Sequence, residues 1–196
     1  MLLYKDIIKE DNLDLRKRSV DVALPLSEED EKLMLDMNEY LVNGYDDEFV
    51  KTHDIRPGVG IAAPQVDVLK KMFVILAYDE EDNLHHYGVI NPKIISQSVE
   101  TCYLPGGEGC LSVDRVAKGL IHRSKKITAK CHLYNFETGD VTPSTLRLKN
   151  YIAIVFQHEY DHLFGTLFVD RINKENPFAV PANSSKITFE IQEDQE

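Results

Sequence analysis

Asn150-Tyr151-Ile152-Ala153-Ile154-Val155-Phe156-Gln157-His158-Glu159-Tyr160-Asp161-His162-Leu163 is the stretch on which the fold turns. Ile152, Val155 and Phe156 share one helical face with Tyr151 and Ile154 beside it, which predicts a helix packed on a core. Gly165, just past its end, is the expected C-cap. Inside this helix His158-Glu159-Tyr160-Asp161-His162 forms an H-E-x-x-H pattern. Residues four apart on an α-helix lie about 40° apart around its axis and one turn along it, so both imidazoles can reach one metal ion. Glu159 then stands beside them, placed to act on water rather than as a ligand. Asp161 points to another side of the helix and is read as a surface charge or an N–H acceptor. A buried helix whose histidines are satisfied by hydrogen bonds would carry the same letters, so the class depends on a third ligand.

Upstream of this helix, Ile127 to Tyr134 and Val141 to Leu148 read as two strands joined at Glu137-Thr138-Gly139-Asp140 into a hairpin. Met72 to Tyr78 is a short β-rich apolar run, expected to be a buried strand. Glu80 to Asn83 is a turn, and Tyr87 to Ile95 a further strand whose Pro92 places its end near an edge. Ser27 caps a helix with acids in its first turn; Leu33, Met37, Tyr40 and Leu41 recur at helical spacing and Gly44 stops it. Asp46 to Pro57 reads as an irregular polar loop. Beyond Lys174 a last strand is expected at Ile187 to Ile191, before a frayed acidic end. The sum is an α+β fold, antiparallel sheets packed around the central helix that carries H-E-x-x-H, in one domain over residues 1–196.

Composition narrows the setting. A 43% apolar and 28% charged chain of 196 residues is ordinary for a globular protein that buries its own core. No apolar run approaches the roughly 18 residues of a membrane span, and Met1 to Asp6 turns polar too soon for a secretory signal, so a cytoplasmic protein is expected. Three cysteines cannot all pair, which suits a reducing compartment. Net charge is −11, from 33 acidic and 22 basic residues, which argues against nucleic acid as a direct partner. Lys125-Lys126 is too short a basic run to argue otherwise. His85-His86 reads as part of a solvated turn, His53, His122 and His132 as structural or surface residues, and Cys102 and Cys131 as packed thiols.

The third ligand is not where two families of metallopeptidase keep it. Phe168 stands where a metzincin has histidine, and Glu175 comes too early for a thermolysin-like glutamate. Upstream, Gly106-Gly107-Glu108-Gly109-Cys110-Leu111-Ser112 presents a cysteine among glycines. Alone, Cys110 would be a buried thiol. Beside a two-histidine helix that lacks its third ligand, thiolate coordination is the better reading, with a fourth position open as in a catalytic site. Gly58-Val59-Gly60-Ile61-Ala62-Ala63-Pro64-Gln65 strips away side-chain bulk where another backbone can approach, and Gln65 adds an amide donor; packing alone would also explain it. It lacks the lysine of a phosphate loop and the spacing of a dinucleotide fingerprint.

Taken in order, GVGIAAPQ at 58–65, EGCLS at 108–112 and QHEYDHL at 157–163 resemble the three signature motifs of peptide deformylases, and the longer spacings resemble the Gram-positive-type branch. The resemblance implies removal of the formyl group from the N-terminal formyl-methionine of nascent polypeptides, with release of formate. It implies Cys110, His158 and His162 as ligands of one divalent metal, Fe2+ foremost, with Zn2+, Ni2+ or Co2+ as substitutes. Glu159 would take the proton of the attacking water and pass it to the leaving amine. Gln65 and the Leu111 N–H would steady the formyl oxygen, each such donor contributing on the order of 3 kcal/mol. Gly58 and Gly60 would pair with the peptide as an added strand, with Glu108 and Gly109 on the opposite wall. Val59, Ile154 and Val155 would take the methionine side chain, and Glu108 and Gln157 would support the ligands. The implied partners are the formyl-methionine peptide and nascent chains at the ribosome, with no membrane.

The chain departs from the family pattern in three places. Arg56-Pro57 replaces Arg-Gly ahead of the first motif, Phe156 and Tyr160 replace small aliphatics, and the end, Glu190 to Glu196, is acidic where some relatives carry a basic ribosome-docking helix. These differences keep two alternatives in view, a paralogue with altered N-acyl-peptide specificity and a peptide binder without turnover; a metallopeptidase is a third.

Overall fold

The computed structural model describes residues 1–189. Helix α1 spans Glu28–Asn43; Ser27 Oγ accepts the Asp30 N–H at 3.2 Å, and four acids occupy the first turn, where the helix dipole favours them. The segment expected to be an irregular loop holds a second helix, α2, at Asp47–His53. Asp46 accepts from the backbone N–H of Glu48 and Phe49, and Phe49 and Val50 pack against the α1 cluster, which together outweigh the polar composition.

The strands are β1 (Gly60–Ala62), β2 (Met72–Tyr78), β3 (Leu84–Gln97), β4 (Thr101–Tyr103), β5 (Arg123–Ser124), β6 (Lys126–Tyr134), β7 (Val141–Lys149) and β8 (Ser184–Lys186). Five of them form an antiparallel sheet in the order β1-β2-β3-β6-β7, and β5-β4-β8 form a smaller one in which β8 runs parallel to β4. β7 leads directly into α3, Asn150–His162.

Two expectations about strands need correction. Pro92 lies inside β3, which is flanked by β2 and β6 and is therefore no edge strand. It falls in the register break between Ile90 and Lys93, where no ladder bond is lost for want of its N–H. The last strand ends at Lys186, before Ile187, whose side chain is buried against Cys102 and Ile154; the remainder of the expected strand, from residue 190, lies outside the described residues. His85 and His86 belong to β3, His85 beside Asp79 at 2.8 Å and His86 stacked on Phe136.

The alternation of β2 explains why its run is apolar throughout. Met72, Val74 and Leu76 face α1, where Met34, Met37, Tyr40 and Leu41 are fully buried. Phe73, Ile75 and Ala77 face α3, where Ile152, Val155 and Phe156 pack, with Phe73 and Phe156 edge to face at 5.1 Å. Covered on both faces, the strand has no position to give to a polar residue. α3 is held between the two sheets, since Ile154 packs toward Cys102 of β4.

Candidate metal centre

α3 is rigid because ten of its thirteen residues are buried. From it His158 and His162 project one turn apart, ring centroids 5.1 Å from each other. Cys110 reaches the same point from the glycine-rich segment before β5, its Sγ 3.4 Å from His162 Nε2. One ligand atom from each of Cys110, His158 and His162 lies within 4.8 Å of the other two.

Each donor is aimed by a neighbour. His158 Nδ1 sits 2.8 Å from Glu108 Oε2, an acceptor only, so Nδ1 carries the proton and Nε2 is left to ligate. Glu108 is in turn gripped by Arg123, whose Nε and terminal nitrogen lie 2.6 and 2.8 Å from its two oxygens. Burial opposes the charge on Glu108, but Arg123 holds its carboxyl down at about 2. The Ser112 N–H at 3.4 Å and Gln65 Nε2 at 3.5 Å both point at the Cys110 sulfur, a setting that suits a thiolate.

The residues fit a metal ion by their own electrostatics. Burial disfavours a proton on His158, yet Cys110 and Glu108 outweigh burial and raise it well above an ordinary imidazole, so the cluster calls for positive charge between sulfur and ring. His162 is held well below its ordinary value, first by burial and then by His158, which leaves a neutral ring with a lone pair to give. One thiolate and two imidazoles, with no carboxylate among them, is a donor set for a borderline divalent transition metal.

A cleft of about 270 Å³ opens beside this cluster. Glu159 lines it, its Oε2 buried and without a hydrogen-bond partner among the described residues, and burial pushes its carboxyl up to about 7 against the pull of His158 and Arg123. A carboxylate at that value can take and return a proton near neutrality. Gln65 Oε1 accepts the Ala62 N–H at 2.8 Å, which fixes the amide with its donor toward Ser112 and Cys110. Gly60 leaves the Glu159 carboxylate its place, since a Cβ on it would stand 2.4 Å from Glu159 Oε1 and force it to shift. Among the described residues β1 is an edge strand paired with β2 on one side, and Gly58, Val59 and Gly60 line the cleft.

Leu111, Gly109, Ile154 and Val155 line the same cleft, so every residue singled out as catalytic or substrate-contacting meets Cys110 and His158 there; His162 stands behind them. Glu108 also touches the cleft, but both its oxygens are already engaged by Arg123 and His158. Gln157 holds Ser124 through its N–H and its carbonyl. Phe156 is in the core against Phe73, and Tyr160 packs at a tilt against Phe164, so neither bulky side chain shapes this cleft.

Asp161 is no surface charge. It is buried and accepts from both Arg123, at 2.8 Å, and Arg171. Arg123 therefore links the carboxylate behind His158 to Asp161, three residues farther along α3. Leu104 and Tyr151 of the cleft wall were also not foreseen. Tyr151 had a signal: stepping back from His158 by helical turns reaches Ile154, Val155 and then Tyr151 on one stripe. Arg123 had none, being isolated in sequence.

A family model described as Polypeptide deformylase matches residues 4–178. The chain is 48% identical over 187 residues to Peptide deformylase 2 of Bacillus cereus, covering 95% of this chain and 99% of that one. It is also 48% identical over 181 residues to a peptide deformylase of Listeria monocytogenes, at 92% and 96% coverage. These relatives agree with the Gram-positive-type branch. Among solved structures, peptide deformylase from Thermotoga maritima superposes with a TM-score of 0.66 at 34% identity, over 88% of this chain and 99% of that one. A class I type b peptide deformylase from Acinetobacter baumannii gives 0.69 at 27% identity, over 88% and 100%.

Proposed function

The chain belongs to the polypeptide deformylase family, and on that premise we propose that Cys110, His158 and His162 hold the divalent metal with which it removes the formyl group from N-terminal formyl-methionine. The observation that carries this reading is the meeting of three ligand atoms within 4.8 Å at the cleft where Glu159 and Gln65 converge. The bound ion supplies a Lewis acid for the formyl carbonyl and for water.

The chain's own residues do the rest. The edge of β1 pairs with the peptide backbone as an added strand, which lays the formyl amide along the cleft. Val59, Ile154 and Val155 enclose the methionine side chain and exclude water from it. Gln65 Nε2 and the Leu111 N–H donate to the formyl oxygen as it gains charge. Glu159 takes a proton as water adds to the formyl carbon. It returns that proton to the amide nitrogen as the C–N bond breaks, which yields formate and a free amine.

Ferrous iron is the resident metal of this reading, with zinc, nickel or cobalt as substitutes. The substrates are nascent chains at the ribosome in the cytoplasm, a setting supported by three unpaired cysteines, and residues 1–196 act as one catalytic domain. The test is formate release from a formyl-Met peptide by anaerobically purified, nickel-loaded protein, with metal counted in parallel. Rapid release at about one metal per chain is expected. No release at full occupancy would instead favour a paralogue with another N-acyl specificity.

A further inference from the structure

The face of the five-stranded sheet that α1 covers at β1 and β2 still packs against α1 at Tyr134 and Val141, then opens to exposed positions along the rest of β6 and β7. Lys126, Thr128, Lys130 and His132 alternate outward along β6, and Arg147 stands opposite Thr128 on β7. Lys93 of β3 is in register with Lys130, two like charges directly across a ladder, an arrangement that costs stability when nothing lies between them. Lys93, Lys126, Lys130 and Arg147 are all exposed, and none of the four forms an ion pair among the described residues.

A recess of about 440 Å³ lies among Lys93, Lys130, His132, Ser144 and Thr145. His132 Nδ1 is fully buried, closed to the recess, and has no partner among the described residues. On this face the recess gathers two ammonium groups and the Thr145 hydroxyl, with no carboxylate in its lining among the described residues. Ammonium groups are compact point charges that suit a tetrahedral oxyanion, and the arginine fork matches a phosphate as well. The cations also run beyond the recess, to Arg147 and Lys126, farther than a single phosphate needs. The net charge of −11 hides this local excess; at the end of the patch Glu81 is taken up by Lys149, which stands opposite Lys126.

We propose that this face binds the phosphate backbone of a single-stranded RNA segment, one phosphate seated between Lys93, Lys130 and Thr145 and the chain continuing past Lys126 and Arg147. The inference stands apart from the deformylase reading: the cleft lies at β1, the opposite edge of the sheet.

The test is fluorescence anisotropy of a labelled 20-nucleotide polyuridine with the full-length, metal-loaded protein. With four phosphate contacts and a slope of about −0.7 per contact, binding should weaken about 20-fold between 50 and 150 mM salt. The double variant Lys93→Glu/Lys130→Glu should bind at least 10-fold more weakly, with about half the salt slope, while formate release stays unchanged. Lys17→Glu/Lys32→Glu, the same charge change elsewhere on the surface, should bind nearly as the unaltered chain does. No saturable binding at 50 mM salt, or equal weakening by the two double variants, would overturn the proposal. Binding to vesicles of anionic phospholipid with none to the RNA would overturn it equally.

Discussion

At one end of the cleft, beside Glu159, the side chains of Cys110, His158 and Gln65 are aimed by hydrogen bonds, and those behind His158 run outward through Glu108 and Arg123 to Asp161. At the other end Val59, Leu104, Tyr151, Ile154 and Val155 are held by packing alone, drawn from the loop before β1, the segment after β4 and the first turns of α3. Hydrogen bonds fix direction, and the buried groups they hold are costly to leave unpaired. Packing fixes volume and tolerates exchange among apolar residues of similar size. Substitutions at the first end should therefore strike turnover or metal retention, and those at the second should strike KM while leaving turnover alone.

The largest effect is expected from Glu159→Gln. The amide keeps the shape but cannot carry the proton, and kcat should fall about 10²- to 10⁴-fold. Metal content and peptide affinity should hold, since Glu159 is no ligand. A rate within threefold of the unaltered enzyme would remove Glu159 from the mechanism.

Gly60→Ala tests the same carboxylate from the opposite wall. The added Cβ would meet Glu159 Oε1 at 2.4 Å and its Cδ at 2.7 Å, so the carboxylate must shift. A displacement of this kind is worth about 100-fold in kcat. Thermal melting and metal content should stay close to normal; an unchanged kcat would mean that Glu159 relaxes without cost.

Arg123→Met breaks the polar end from behind, leaving Glu108 and Asp161 buried beside each other with their shared cation gone. Loss of one partner from such a pair costs about 3–5 kcal/mol of stability. His158 also loses the carboxylate geometry that fixes its ring, and metal affinity should fall about 10- to 100-fold. Chelator competition and melting curves with and without metal separate the two losses. If metal affinity is unchanged, the network supports the fold only.

How much of this was legible in the sequence follows the same division. The helix period gave away α3 and α1, the alternation of β2 was masked by burial on both sides but its apolar run was not, and the ligand residues stood in short motifs whose chemistry is local. What escaped depends on partners distant in the chain. Asp161 has a known angle on its helix, yet only the return of β5 puts Arg123 at that angle. Pro92 looked like an edge because the register break that accommodates it belongs to the pairing of two strands. α2 was hidden by polar composition, although Asp46 as N-cap was there to be read. Leu104 lies between motifs and no spacing rule points to it.

Tyr151 marks the boundary between the two ends and gives the smallest expected effect. Its ring lines the cleft and packs edge to face on Phe189 at 4.9 Å, so it is a wall backed by the C-terminal segment rather than by a hydrogen-bonded ligand. Tyr151→Ala removes that wall and lets water reach the apolar end. A missing apolar contact of this size is worth about 1–3 kcal/mol of substrate binding, or roughly 10-fold or more in KM. Because Tyr151 touches neither the ligands nor Glu159, kcat at saturating formyl-Met peptide should change little. Tyr151→Leu, which restores part of the volume, should recover part of the loss. A fall in kcat with KM unchanged would show that the two ends are mechanically coupled through α3, and that the division drawn above is false at its most exposed point.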